Sequence, residues 1–301
     1  MIALAARALD RAGLPAADAL VVSARDGALR RAANACRAHR KVAVLTGPGA
    51  GPAELARELF PQTPRTFVVC EDLDGPAERI ERVRPAEATT RPWNDPQVVL
   101  VLDPFGRFDA PTWLAGAHGP SAWALPADAF ARPAAPPEVR ALALARLGPR
   151  VGDLVWDVGA DAGPMAVECA RLGAAAVAVA ADRAARDAIR ADVAAHRVKV
   201  AVARGAPPAV LAPLPEPDAV YLTGTPDLAA HCAPHALRAA VAITTPDGTE
   251  AVRDALAAAG FTTGSVVLGG LTLVHATRDT ALPERPAPTT RRPVETLGGL
   301  R

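Results

Sequence analysis

Lysine is almost missing from this chain. Of its 33 Lys and Arg residues only Lys41 and Lys199 are lysines, and with the excess of Ala and Pro this points to coding bias before it points to function. A charge surplus is missing as well: 33 basic against 32 acidic side chains leave a formal net charge of +1, so no global field draws the chain to nucleic acid or to an acidic membrane surface. Cysteine is sparse. Cys36, Cys70, Cys169 and Cys232 form no C-x-x-C pair and no zinc-finger spacing, which fits reduced thiols in a cytosolic protein rather than a disulfide framework. No apolar run approaches the roughly 18 residues that a spanning helix needs. Arg7, Asp10 and Arg11 break the apolar N-terminus before a signal-peptide core forms. The expected location is the cytoplasm, with no membrane partner. Aromatic residues make up only 4%. None interleaves Arg30, Arg31, Arg37 and Arg40, so this stripe lacks the stacking platforms of a single-strand binder and predicts a solvated helix face. What abounds instead is arginine, whose planar fork suits a polycarboxylate ligand.

The 301 residues, half of them hydrophobic, suit two domains that each bury a core. In the first half, Asp18–Ser23, Lys41–Thr46, Arg65–Cys70 and Gln97–Asp103 read as apolar strands, with helices over 28–39 and 52–60 between them. Continuous apolar strands alternating with helices predict a mostly parallel sheet covered on both faces. The alternation lapses over 104–136, a stretch rich in Pro, Gly and Ala that reads as a linker, although Trp113 and Trp123 argue that part of it packs down. It resumes from Pro137 with helices over 137–147, 164–172, 183–195, 227–233 and 249–259. Strands are expected over 154–158, 176–180, 199–203, 219–222 and 239–244, with a terminal pair near 265–275. This is the pattern of a doubly wound sheet whose first crevice follows Val158. Residues from Leu282 onward read as a solvated tail. The expected organisation is therefore 1–103, linker 104–136, 137–281 and tail 282–301.

The segment richest in chemistry is Trp156-Asp157-Val158-Gly159-Ala160-Asp161-Ala162-Gly163-Pro164. A buried strand ends in an acid, and a glycine turn then opens a helix. Glycines there permit positive φ and close backbone approach, and the helix N-terminus offers free N–H groups and positive potential. Pro164 fits the first turn, where its missing N–H costs nothing. Asp182 stands about 20 residues on, where an acid can hold ribose hydroxyls. The loop is not the G-x-G-x-x-G of a nicotinamide site. Gly47-Pro48-Gly49-Ala50-Gly51-Pro52 lacks the Gly-Lys-Ser/Thr of a P-loop and reads as a structural turn. His231, Cys232 and His235 offer no further metal ligand in sequence and read as a polar helix end, so no metal site is expected. Glu71, Asp72, Asp74 and Glu78, with Arg79 and Arg82 beside them, read as a surface turn with ion pairs.

The order acid–Gly–x–x–x–Gly resembles the first motif of class I S-adenosylmethionine methyltransferases. The segments from Glu138 to Leu144 and from Gly152 to Ala160, with Gly205-Ala206-Pro207 and Pro217–Tyr221, sharpen this to the decarboxylating precorrin-6Y methyltransferases of cobalamin biosynthesis. Lys41–Thr46, Pro52–Ala56 and Cys70–Arg79 resemble the closing part of the tetrapyrrole methylase unit to which that domain is fused in some members. The resemblance implies an α/β fold: a partial tetrapyrrole methylase subdomain followed by a class I (Rossmann-like) methyltransferase domain. It implies S-adenosyl-L-methionine as cofactor and a tetrapyrrole as substrate, methylated twice with loss of an acetate carboxyl as carbon dioxide. Asp157 would fix the turn and the cofactor's amino end, Asp182 the ribose, and Gly205 and Ala206 would border the adenine. Gly159, Ala160, Asp161 and Gly163 would form the loop; no catalytic acid can be named. The chain departs from the family pattern in several places. Met1 falls inside the helix that would follow a preceding methylase subdomain, which predicts an upstream continuation, a broken gene, or a separate chain supplying that piece. Pro136-Pro137 replace Thr-Lys, Asp161 replaces the loop's middle glycine, Thr223-Gly224-Thr225-Pro226 replace consecutive glycines, and the ribose acid is shifted by one, Ala181 preceding Asp182. A noncatalytic paralogue or truncated subunit, and a class I methyltransferase for another small molecule, stay open as alternatives, as does assembly into a homo-oligomer.

Overall fold

The computed structural model describes residues 2–59, 64–106, 123–159 and 161–278. The first half contains α1 (Ile2–Arg11), β1 (Leu20–Ser23), α2 (Leu29–Ala38), β2 (Lys41–Leu45), α3 (Pro52–Leu59), β3 (Thr66–Glu71), β4 (Arg79–Val83), α4 (Pro85–Ala88) and β5 (Pro96–Leu102). Its five-stranded sheet runs β1-β2-β5-β3-β4. Both faces are covered, as expected. Val42, Val44, Phe67 and Val101 pack with Ala32, Ala33 and Leu55 of α2 and α3, while Ala43, Leu45, Val68 and Leu100 pack with Ala5, Ala8 and Leu9 of α1.

The expectation of a mostly parallel sheet is corrected. Only β1 and β2 are parallel; β5 enters between β2 and β3 antiparallel to both, and β4 lies antiparallel to β3. A strand covered on both faces is apolar throughout whichever way it runs, so the apolar run marked burial and not direction. β4 (RIERV) escaped notice because its charged residues suit an edge strand, where they discourage further pairing. The acidic turn before it is held by ion pairs: Arg7 to Asp74, Arg11 to Glu78 at 2.9 Å, and Arg79 to a buried Glu71 at 2.6 Å.

The second half contains α5 (Pro137–Leu147), β6 (Leu154–Gly159), α6 (Pro164–Arg171), β7 (Ala175–Ala180), α7 (Arg183–Ala195), β8 (Ala201–Arg204), β9 (Ala219–Thr223), α8 (Pro226–Cys232), β10 (Ala239–Thr244), α9 (Thr249–Ala258), β11 (Thr262–Leu268) and β12 (Leu271–Thr277). The sheet order is β11-β12-β10-β9-β6-β7-β8. β6 to β10 are parallel in the Rossmann order, reversing at β6; β12 is antiparallel and separates β10 from β11. This is the expected class I, Rossmann-like α/β fold. Trp156, fully buried in the middle of β6, donates its indole N–H to the Pro215 carbonyl at 3.1 Å. Gly148 ends α5 with φ +53°, and Arg238 donates to the terminal carbonyls of Leu147 and Gly148, a C-cap reinforced by a cation.

Helix α2 joins the halves. Its apolar side packs on its own sheet, and its other side docks on the second half. Arg30 pairs with Asp218 at 3.0 Å, Arg31 reaches the Val151 carbonyl at 3.4 Å, and Asn34 donates to the Gly152 carbonyl at 3.1 Å. The solvated arginine face read from sequence is thus an interface; the acids that receive it lie far away in the chain. Asn34 is buried, so Asn34→Ala leaves the Gly152 carbonyl without its donor. We expect a loss of about 1–3 kcal/mol in denaturant unfolding, and an unchanged midpoint would show that α2 does not dock there.

Candidate cofactor site

The parallel strands bring the glycine loop to one edge with its companions. Gly159 stands opposite Thr223, Val158 opposite Val179, and Ala180 opposite Arg204. Neighbouring strands lie about 4.8 Å apart. The loop, Asp182 and Gly205–Ala206 therefore emerge from adjacent carboxyl ends, at the point where strand order reverses. Ala160 lies outside the described residues.

Asp157 is fully buried at the end of β6. Its Oδ2 accepts from the Gly163 N–H at 2.7 Å and the Ala166 N–H at 2.9 Å, which secures the N-terminus of α6 from within. Its Oδ1 is buried and has no hydrogen-bond partner among the described residues. Burial pushes this carboxyl up to about 7; the Gly163, Ala166 and Met165 N–H groups pull the other way, and the Asp161 carboxylate adds to the rise.

The two loop glycines answer to the fold itself. At Gly159, φ is +138° and a Cβ would sit 2.2 Å from the Thr223 carbonyl oxygen. At Gly163, φ is +130° and a Cβ would sit 2.7 Å from Cγ1 of Ile189. The first glycine lets β6 meet β9, and the second lets α6 meet α7. Asp161 is exposed and its N–H points to the Thr223 hydroxyl at 3.3 Å. Asp182 is exposed and is the N-cap of α7, accepting from the Ala185 N–H at 2.8 Å; that bond holds its carboxyl below the usual range. Gly205, with φ +146°, sits against Val210, and the Ala206 carbonyl accepts from the Val210 N–H at 3.3 Å.

Three features went unread in the sequence. Thr223 supplies the hydroxyl facing the loop; its signal was a lone hydroxyl residue closing the apolar run Ala219–Leu222. Arg186, buried, donates to the Ala180 carbonyl at 3.2 Å and to that of Ala181, so it fixes the end of β7; it lies four residues beyond the Asp182 cap, one helical turn away. Residues 125–135 form a strap over α6 and α7. The Leu125 N–H donates to Glu168 at 2.7 Å, the Ala131 N–H to Asp192 at 2.8 Å, and Arg140 to the Ala135 carbonyl at 2.9 Å. Phe130 lies under the Arg140 guanidinium at 4.8 Å. Arg132 and Pro133 of the strap share a small pocket with Asp161 and Pro164. The strap packs down as the tryptophans implied, yet not through them: Trp123 is 65% exposed, and Trp113 lies outside the described residues.

The remaining constellations are structural. Cys232 is buried, His231 bonds the Asp227 carbonyl at 2.6 Å, and the His235 ring packs 5.4 Å from that of Trp156. No group of three metal-ligating side chains occurs among the described residues. In the Gly47–Pro52 turn the Gly51 N–H donates to Glu54 at 3.0 Å, so a carboxylate holds the place where a phosphate would bind. All four cysteines are free and buried, and burial pushes Cys36, Cys70 and Cys232 up to about 12. No described helix is long and apolar enough to cross a membrane.

Residues 135–277 match the family model described as precorrin methyltransferase domain. A precorrin-6Y C(5,15)-methyltransferase [decarboxylating] from Sinorhizobium sp is 32% identical over 196 residues, 61% of this chain and 45% of that protein. Its counterpart from Mycobacterium tuberculosis is 34% identical over 199 residues, 63% of this chain and 47% of that protein. Among solved structures, the C-terminal domain of precorrin-6Y C5,15-methyltransferase from Rhodobacter capsulatus is 24% identical, with a TM-score of 0.44, and is covered in full by 52% of this chain. The chain spans less than half the length of the two full relatives. Its second half, over residues 135–277, is similar to the precorrin methyltransferase domain family.

Proposed function

We propose that the second half binds S-adenosyl-L-methionine at the carboxyl edge of β6, β7 and β8 and methylates precorrin-6Y, with decarboxylation, in cytoplasmic cobalamin biosynthesis. In this reading residues 1–103 are the closing part of a tetrapyrrole methylase unit, 104–136 a linker, 137–281 the methyltransferase and 282–301 a tail. The observation that carries it is the buried, unpartnered Oδ1 of Asp157 beside the N-terminus of α6, at the switch point where this sheet type binds ligands. An ammonium group is a fitting partner for that oxygen. Asp182 would bind ribose hydroxyls while capping α7. Gly205 and Ala206 would border the adenine, and Ala160, Asp161 and the N–H groups at the start of α6 would face the methionine portion. The cofactor supplies the methyl group; these residues hold it in line with a nucleophilic carbon, and such positioning removes much of the barrier.

Two variants of one residue separate cofactor binding from fold support. Asp157→Asn keeps an oxygen for the Gly163 and Ala166 N–H groups but removes the charge. We expect it to fold normally and to bind S-adenosylmethionine at least tenfold more weakly in calorimetry. Asp157→Ala orphans both N–H groups and should cost about 1–3 kcal/mol. An Asn variant that binds as tightly as the parent would remove Asp157 from the site. Turnover of precorrin-6Y to methylated, decarboxylated product by the parent chain tests the substrate.

The same pair of chains gives a pH prediction. The folded pKa of Asp157, about 7, exceeds the unfolded value of about 3.9. The folded state therefore holds this proton more tightly, and its contribution is full below about pH 4 and is lost as pH rises through 7. Asp157→Asn abolishes that loss. Its melting temperature relative to the parent should climb between about pH 4 and pH 7, by the equivalent of at most about 4 kcal/mol, and level off above that. A constant difference would contradict the buried, protonatable carboxyl.

A further inference from the structure

A second concavity lies at the opposite edge of the same sheet, far from the glycine loop. It is a cavity of about 430 Å³ between the two halves, within the usual size of small-molecule sites. Its floor is the amino ends of β6, β7 and β8, with Leu154, Val193 and Val198 giving apolar wall. Its charged lining is of one sign. Arg37, Arg40 and Arg65 come from the first half, Arg190, Arg197 and Lys199 from the second, and no acidic side chain lines it.

The hydrogen bonds show how little of this charge is neutralised. Lys199 pairs with Asp103, and Arg190 with Asp187 at 2.7 Å. Arg65 donates to the Cys36 carbonyl at 2.8 Å and to the Arg37 carbonyl at 3.0 Å. Arg37 donates to the Asn34 side-chain oxygen at 2.6 Å and to the Glu58 carbonyl. Neutral acceptors satisfy these donors and leave the charge in place. Arg40 and Arg197 are exposed and make no ion pair among the described residues. Burial pulls Arg37, Arg65 and Lys199 below their ordinary values, and for Arg37 and Lys199 neighbouring arginines add to the effect. Glu58 and Asp103 act on Arg37 and Arg65 only from beyond ion-pair distance, so four guanidinium groups without a directly bonded carboxylate converge from two halves on a partly apolar cavity, as in sites that take anionic groups bidentately. In a chain whose basic and acidic residues nearly balance, the concentration is local.

We propose that this interdomain cavity binds a small organic anion carrying two or more carboxylate or phosphate groups. The ligand would lay its apolar body against the β6–β8 edge and bridge the halves through Arg37, Arg40 and Arg65 on one side and Arg197 on the other.

Calorimetry on the full chain in low salt, with ATP (no divalent cation) and with tricarballylate as probes, tests the assignment. Binding with a Kd below about 100 µM for either probe supports the site, and the tighter probe tells phosphate from carboxylate chemistry. Arg40→Glu/Arg197→Glu, two exposed positions that leave the floor intact, should weaken that binding at least tenfold with the melting temperature of the free protein unchanged. Arg146→Glu, exposed on α5 and outside the cavity, should leave it unchanged. Saturating S-adenosylmethionine should not displace the probe. No binding of either probe by folded protein, equal loss in the Arg146 variant, retained affinity in the double variant, or displacement by S-adenosylmethionine would each overturn the proposal.

Discussion

Replacing Gly159 with alanine is expected to remove most of the stability of the second half. The added Cβ would lie 2.2 Å from a backbone oxygen, that of Thr223, at a residue with φ +138°. Neither β6 nor β9 can retreat, because both are central strands whose neighbours fix their positions. Strain at such a backbone position costs about 1–3 kcal/mol, and overpacking against a rigid partner adds about 1–3 kcal/mol or more. The sum, about 2–6 kcal/mol, is comparable at its upper end to the net stability of a typical domain. Chemical denaturation monitored by the buried Trp156 reports it directly. Gly163→Ala is a useful contrast, because its Cβ would meet only the Ile189 side chain. Adding Ile189→Ala should recover the packing part of its cost and leave the backbone strain. If Gly159→Ala unfolds at the parent midpoint, the close approach of β6 to β9 is wrong.

Breaking the Arg140–Glu168 pair should have an effect of similar size. Both side chains are almost wholly buried, and a buried charge left without its partner costs about 3–5 kcal/mol. Arg140 also donates to the Leu125 and Ala135 carbonyls, so Arg140→Met frees both ends of the strap. We expect a loss of about 3 kcal/mol, softened because Arg171 still pairs with Glu168 at 2.7 Å. New proteolytic cleavage within 123–136 should accompany it. Arg140→Met/Glu168→Met removes both charges and should recover much of the stability without re-seating the strap. Equal stability and equal protease resistance in the single variant would show that the strap is held by something else.

Helices α5 and α7 and strand β10 have the expected bounds, because Pro137 marks a helix start, Asp182 a helix cap, and Ala239–Thr244 is one apolar run. Strand direction in the first sheet was not legible, since β5 takes its place between β2 and β3 through contacts distant in sequence. The α2 arginines looked solvated because Asp218 lies 188 residues from Arg30. The strap was read as a linker because its anchors, Arg140, Glu168 and Asp192, belong to elements that follow it. The candidate site was more legible in position than in detail. Asp157, Gly159, Gly163, Asp182 and Gly205 do meet at one edge, while the structural duties of the two glycines and the cap at Asp182 depend on Thr223, Ile189 and Ala185, which no local motif announces.

Calorimetric titration of the intact chain with S-adenosylmethionine and S-adenosylhomocysteine, with NAD as control, tests the cofactor site most directly. Micromolar binding of the first two and none of NAD is expected. No heat from S-adenosylmethionine with well-folded protein, or NAD bound as tightly, would contradict it and favour a noncatalytic paralogue or a different ligand.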